Sequence, residues 1–392
     1  MNTARIDRMN SRLVSQFFGV LLSSGLLLGA LRGAEEPIDW NRARQLHRRA
    51  TSGEKLSAEE QAYYDRAKAA LARGQGQGPA AGQRPSGAPP AWTQHLTPLT
   101  ELGTNKYKGE EGGLYGGGKN EPPASHLDAA MKEAAQVVPR DSDGKPAREG
   151  RIGLISVGMS NTTQEFSRFK QLADADAAKS SRVVIVDTAQ GGQTAMRWAD
   201  VRSPLWAEVD RRLERAGITA VQVQVAWMKQ AEAGPSQHGE FPRHAQQLHD
   251  NLVTSLANLK QKFPNLRIAY LSSRIYAGYA TTWLNPEPFA YEEAFAMRWL
   301  IREQIEGDAR LNFDAAKGAV KSPLLLWGPY LWADGAIPRK ADGLTYERGD
   351  LSAGDGTHPT ESGRQKVAEQ LLKFLRSDAT AKVWFVNSAG GK

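Results

Sequence analysis

The sequence predicts an α/β domain built on a mainly parallel sheet of about five strands, with helices over both faces. A small helical segment and a linker precede it. Two observations carry this reading. Apolar runs of strand length alternate with longer amphipathic stretches from about residue 150 to residue 375, the pattern of repeated strand–helix–strand units. The chain is also long enough, at 392 residues with 40% hydrophobic and 24% charged side chains, for one large domain plus a smaller appendage.

Taken in order, the first 34 residues read as an export signal. Arg5, Arg8 and Arg12 form a positive start, Leu13 to Leu31 run without a charge, and Gly33-Ala34 precede Glu35-Glu36. An uncleaved membrane anchor is the competing reading, because the apolar stretch is near bilayer-spanning length. Its Ser, Gly and Gln content favours a removable segment, after which no stable membrane insertion is expected. The protein is then exported, periplasmic or secreted. Residues 35–73 are short and helical, with the capping-box spacing Ser57-Ala58-Glu59-Glu60 opening the second stretch. Residues 74–90 are rich in Gly, Gln, Pro and Ala and read as a linker. The main domain is placed at 91–392. Within it, candidate strands are 152–157, 182–186, 220–225, 267–271 and 324–327. Candidate helices lie near 164–178, 205–216, 244–263, 290–305 and 361–375.

Charge and composition exclude several classes. The formal charge is +7, but the first 34 residues carry a local +3, and the remaining charge is dispersed. No dense basic patch marks a nucleic-acid partner. The absence of cysteine removes disulfides and thiolate metal sites. No metal or organic cofactor is implied, and the oligomeric state is left open.

The chemistry-bearing residues stand at two places. The first strand ends in Ser156-Val157-Gly158-Met159-Ser160-Asn161, and Thr162 to Glu165 repeats the capping-box spacing, so Ser160 sits at or just before a helix N-terminus. Unpaired amides there can donate to a developing oxyanion. A helix cap is the plainer role for such a serine. Near the C-terminus, Gly354-Asp355-Gly356-Thr357-His358-Pro359 precedes the last helix. A serine hydroxyl needs a base to become a nucleophile, and a carboxylate orients that base.

Together, Gly-x-Ser-Asn after the first strand and Asp-x-x-His-Pro before the last helix resemble the SGNH (GDSL-like) hydrolase superfamily. The Gly-x-Ser-Asn form is closest to the sialate O-acetylesterase-like carbohydrate esterases, with Met159 where Gln is often found. The resemblance spans about residues 151–375. It implies a three-layer α/β/α, flavodoxin-like fold and ester hydrolysis through an acyl-enzyme, with Ser160 as nucleophile, His358 as base and Asp355 as its partner. The substrate implied is a small-molecule or glycan ester. The Ser160 amide and Gly192, with Gly191 as the alternative, then hold the oxyanion. The third block departs from the family pattern: Val225-Ala226-Trp227-Met228-Lys229-Gln230-Ala231 puts Lys229 where the amide donor belongs, with Gln230 beside it. A carbohydrate-binding protein on a degenerate hydrolase fold, or an acyltransferase, are the alternatives.

Further residues are expected on the same rim. Arg274 and Tyr276, in Ser273-Arg274-Ile275-Tyr276, suit a sugar acid and its ring, and Trp227 is placed with them as a substrate contact. A structural ion pair of Arg274 with Glu287 or Glu292 is the other reading. Trp327 to Trp332 form either an aromatic wall or core. Gly112 to Asn120 lack the ending of a phosphate loop and are expected to fold over the site. Asp141 to Gly144 read as a turn, and His238, His244 and His249 as a loose group with two members facing solvent.

Overall fold

The computed structural model describes residues 87–387 and, before them, 56–72 and scattered positions from 38 to 49. The proposed signal segment and most of the proposed linker lie outside the described residues. The chain divides into two compact units, Met1–Ala80 and Ala81–Lys392. In the first, helix α1 spans Ala58–Ala72. Its start is capped reciprocally: the Glu60 amide donates to Ser57 Oγ and the Ser57 amide to Glu60 Oε2, the capping box expected from the spacing.

The second unit carries the sheet. Its elements are a hairpin of β1 (Lys106–Tyr107) and β2 (Glu110–Glu111), helix α2 (Ala124–Ala135), β3 (Ile152–Gly158), α3 (Ser160–Asp174), β4 (Val183–Val186), α4 (Ala195–Ala199), α5 (Leu205–Arg215) and β5 (Val223–Lys229). There follow α6 (Arg243–Lys262), β6 (Ile268–Leu271), α7 (Phe289–Glu306), β7 (Leu324–Trp327), α8 (Glu361–Ser377) and α9 (Ala379–Phe385). The five strands β3–β7 are all parallel, in the order β4-β3-β5-β6-β7. Every residue of β3, β5, β6 and β7 is buried, as a sheet covered on both faces requires. One group of helices joins α3, α8, α9 and α2, and another joins α4, α6 and α7. The three-layer α/β/α sandwich is therefore as expected.

This strand order has one reversal. The chain leaves β3 for β4 on one side, then crosses back to β5 on the other. The crevice beyond the carboxyl ends of β3 and β5 is the place where such sheets bind ligands, and Ser160 follows β3 directly.

Two local expectations are corrected. The third strand is not 220–225: residues 220–222 form a single 3₁₀ turn capped by Thr219 and Gln222, and the strand runs on to Lys229. Thr162 and Glu165 do not form a capping box. The helix begins two residues earlier at Ser160, Thr162 Oγ1 donates to the Lys229 carbonyl at 2.6 Å, and Glu165 turns to the Lys229 ammonium. The pattern of residue types was right for a cap, but tertiary partners took both side chains. Helices α2, α4 and α9 and the small hairpin were not anticipated.

Candidate active site

Ser160 is the first residue of α3, preceded by extended Met159, which makes no side-chain cap. The Ser160 hydroxyl is not used as a cap either. Its Oγ lies 2.7 Å from His358 Nε2. On the far side of the ring, Nδ1 is hydrogen-bonded to Asp355 Oδ2. The other oxygen of Asp355 accepts the amides of Thr357 and His358, each at 3.0 Å. Partial burial works to raise the Asp355 carboxyl, but these amides and the His358 ring outweigh it and hold it below the ordinary carboxylate value. Residues 198 apart in sequence thus meet in one hydroxyl–imidazole–carboxylate chain.

The loop bearing Asp355 and His358 is fastened on several sides. The Thr281 amide donates to the Asp355 carbonyl at 2.8 Å. Gly356 has φ +62°, and its Cα faces the Tyr279 carbonyl so closely that a Cβ would collide with it. The side chain of Asn161 donates to the Thr357 carbonyl at 3.0 Å. Gly158, by contrast, is required for close approach rather than for a turn, because a Cβ there would strike Thr162 and the Lys229 carbonyl.

The loop after β4 lies opposite. Gly192 is exposed with φ +75°, and a Cβ on Gly191 would stand 3.9 Å from Ser160 Cβ. This loop is anchored through Ser156, whose Oγ accepts the amides of Thr188 and Ala189 at 3.0 Å and donates to Asp187 at 2.6 Å. Asp187 also accepts the hydroxyls of Thr163 and Ser167 on α3. From α5, Arg212 Nη1 donates to the carbonyls of Asp187 and Ala189, each at 2.8 Å. A network that sequence reasoning missed therefore ties the start of α3 to the glycine loop; no spacing signal in the chain announces it.

Lys229 is not available to an oxyanion. Its side chain is fully buried, and its ammonium donates to both oxygens of equally buried Glu165, at 2.8 and 2.7 Å. Burial pulls the ammonium down to about 8, although Glu165 opposes the shift. Lys229 belongs to the strand itself, not to the loop beyond it, which is why it points into a helix layer. Gln230 is buried as well, and its Nε2 approaches the Gln193 carbonyl at 3.4 Å.

The three expected substrate contacts are interior residues. Trp227 stacks on Phe166, with centroids 5.6 Å apart, and donates to Ser272 Oγ. Tyr276 packs edge-on against Tyr279 and Trp332. Arg274 is buried and pairs with neither Glu287 nor Glu292; its electrostatic neighbours are Glu293 and Lys229, and its Nε and Nη1 make no hydrogen bond among the described residues. Glu292 instead binds Tyr107, Lys108 and His244, each at 2.7 Å. Glu287 accepts the Ala277 and Tyr291 amides and the Trp332 indole. All three are interior: Trp227 is a residue of buried strand β5, and Arg274 and Tyr276, just after β6, are buried as well.

Of the remaining features, Trp327, Tyr330 and Trp332 are core. Leu114 and Tyr115, within the glycine-rich 112–120 stretch, bind the main chain and indole of Trp327, at the end of edge strand β7. Asp141 accepts the Asp143 and Lys145 amides in a turn. His244 and His249 do not face solvent: both are buried against carboxylates, Glu292 and Glu303. Among the described residues no cluster of three or more His, Asp or Glu side chains is arranged to hold a metal, and no helix is long and apolar enough to cross a membrane.

No family model and no curated protein matches the sequence. Several solved structures are similar to it at low identity. One is a Bacteroides fragilis protein proposed to be an acylhydrolase, 12% identical, with TM-score 0.33 over 67% of this chain and all of its own. The salicylyl-acyltransferase SsfX3 of a tetracycline biosynthetic pathway is 12% identical, with TM-score 0.32 over 61% of this chain and 58% of its own. BT4096, a gut microbial diltiazem-metabolizing enzyme, is 14% identical, with TM-score 0.31 over 57% of this chain and 46% of its own. The chain thus spans about half the length of the last two. Likenesses this faint say nothing about chemistry, which must be judged from the site's own geometry.

Proposed function

We propose that the protein is a serine esterase of the SGNH type, exported from the cell, that removes acetyl groups from carbohydrate. One observation carries the reading: Ser160 Oγ stands 2.7 Å from His358 Nε2 while Asp355 holds the opposite ring nitrogen. A hydroxyl in that position transfers its proton to the imidazole as it attacks an ester carbonyl. The Ser160–acyl bond forms, and the imidazolium returns the proton to the departing sugar oxygen. Water then repeats the exchange and releases the acid. The oxyanion is assigned to main-chain donors, the Ser160 amide at the start of α3 and the Gly191–Gly192 segment, with no side chain from the third block. The deacetylase and export assignments rest on the sequence resemblance and the leader-like N-terminus.

The test is acetate release from p-nitrophenyl acetate and from acetylated xylan by wild type and Ser160→Ala side by side. Loss of the nucleophile is expected to lower turnover by about 10³-fold or more. Equal, negligible rates in the two proteins would remove the esterase reading.

A further inference from the structure

We propose that Asn161 is a positioning residue, which sets the distance between base and nucleophile by clamping the His358 loop to the helix that carries Ser160. The proposal rests on the serine-hydrolase reading above. Asn161 lies in the first turn of α3 and is 1% exposed. Its amide does not cap its own helix; it crosses to the Thr357 carbonyl at 3.0 Å. Thr357 is the residue between Gly356 and His358, and its own amide is already committed to Asp355. The clamp therefore acts on the peptide adjoining the base and on the same segment that orients it.

Two hydrogen bonds join residues 160–163 to residues 355–359 among the described residues, and they differ in kind. The Ser160–His358 bond carries the proton that moves, so it is broken and remade in each half-reaction. The Asn161–Thr357 bond joins an amide to a peptide carbonyl and is indifferent to the protonation state of the ring. It is thus the link that can keep His358 Nε2 within reach while the reactive bond is open. Other anchors of the loop run elsewhere: the Asp355 carbonyl accepts from Thr281, the His358 carbonyl from Ser352, and Gly356 abuts Tyr279. None of these refers the base to the nucleophile's own helix.

Asn161→Asp keeps the shape and removes the donor, Asn161→Ser retains a shorter donor, and Asn161→Ala removes the group. The expected result for Asn161→Asp is a fall in kcat of about 10- to 100-fold with KM within about twofold, since misplacement on the order of 1 Å costs about 10²-fold. Fluorophosphonate labelling of Ser160 slows in parallel. By NMR, the His358 ring resonances and the downfield proton shared with Asp355 shift or broaden in the resting protein, which mere loss of stability would not produce. Asn161→Ser falls between wild type and Asp, and it carries the test if the larger truncation does not fold. A folded Asn161→Asp protein with wild-type kcat, KM and His358 resonances overturns the proposal and leaves the esterase reading intact. A wild type that neither turns over nor labels at Ser160 overturns that reading and this proposal with it.

Discussion

At the scale of single residues, Asp355 divides its work between two oxygens. Oδ2 takes the imidazole, while Oδ1 takes two backbone amides and is thereby fixed in direction. Its folded value is depressed below the ordinary 3.8, so its contribution to stability is complete above that value and is lost as pH falls through the folded one. A loss of activity between pH 8 and pH 5 is therefore expected to follow some other group than this carboxyl. Asp355→Asn should lower kcat by about 10³- to 10⁴-fold, with far less change in KM, because the ring loses its orienting anion. Steady-state kinetics check this directly. Lys229 offers the complementary test. Lys229→Met alone leaves a buried carboxylate unpaired and should cost about 3–5 kcal/mol in urea unfolding, whereas adding Glu165→Leu should restore most of the loss. If the double variant also turns over within about tenfold of wild type, Lys229 is no oxyanion donor, since losing one costs about 10²- to 10³-fold.

At the scale of elements, the site depends on three backbone approaches. The start of α3 presses against the end of β5 at Gly158, the glycine loop hangs from Ser156 and Asp187, and the base loop leans on Tyr279 through Gly356. Gly356→Ala combines a left-handed φ with a collision against main chain. It should cost about 1–3 kcal/mol and lower turnover out of proportion, because His358 is two residues away. Gly343→Ala is the control: its φ is +71°, but nothing lies within 4 Å of the added Cβ, so only the conformational cost of about 1 kcal/mol applies. Thermal unfolding and acetate release on both variants separate the two effects. Element boundaries were least legible where tertiary demands overrode local ones. Thr162-x-x-Glu165 reads as a cap by type and spacing, yet Lys229 claims both residues.

Across the whole molecule, stability without cysteine comes from packing around a buried sheet, and several carboxyls are carried inside it. Burial raises Glu293 to about 8 and Glu232 and Glu287 to about 7, from an ordinary 4.5. The folded chain keeps these protons after the unfolded chain has released them. Stability therefore falls as pH rises from 4.5 toward 8. Buried His126 and half-buried His238, held low by desolvation, act mainly below 6.5, and Lys229 and Lys260, pulled down to about 8, act above 8. Between pH 6.5 and pH 8 the urea midpoint is thus expected to drop. Glu293→Gln, which mimics the protonated acid, should flatten that drop; an unchanged slope would show that Glu293 is already ionised across the window.

Much of this architecture is written locally. Alternating apolar runs and amphipathic stretches determine the sequence of strands and helices, because burial on both faces of a sheet and on one face of a helix leaves different periodicities. Gly158-Met159-Ser160 at a strand's end and Asp355-Gly356-Thr357-His358 before a helix mark the reactive groups, since a turn that exposes a hydroxyl and a turn that aligns a carboxylate with a ring are short-range constructions. What only the tertiary structure decided is which polar side chains near the strand ends face the crevice. Lys229, Arg274 and His244 carry the same residue types whether they meet a substrate or a buried carboxylate, and Glu165, Glu293 and Glu292 reach them from other elements. A buried charge must be compensated by whatever the fold brings near it, and that neighbour stands on another element, 64 residues away for Lys229 and 48 for His244, beyond the reach of any local pattern.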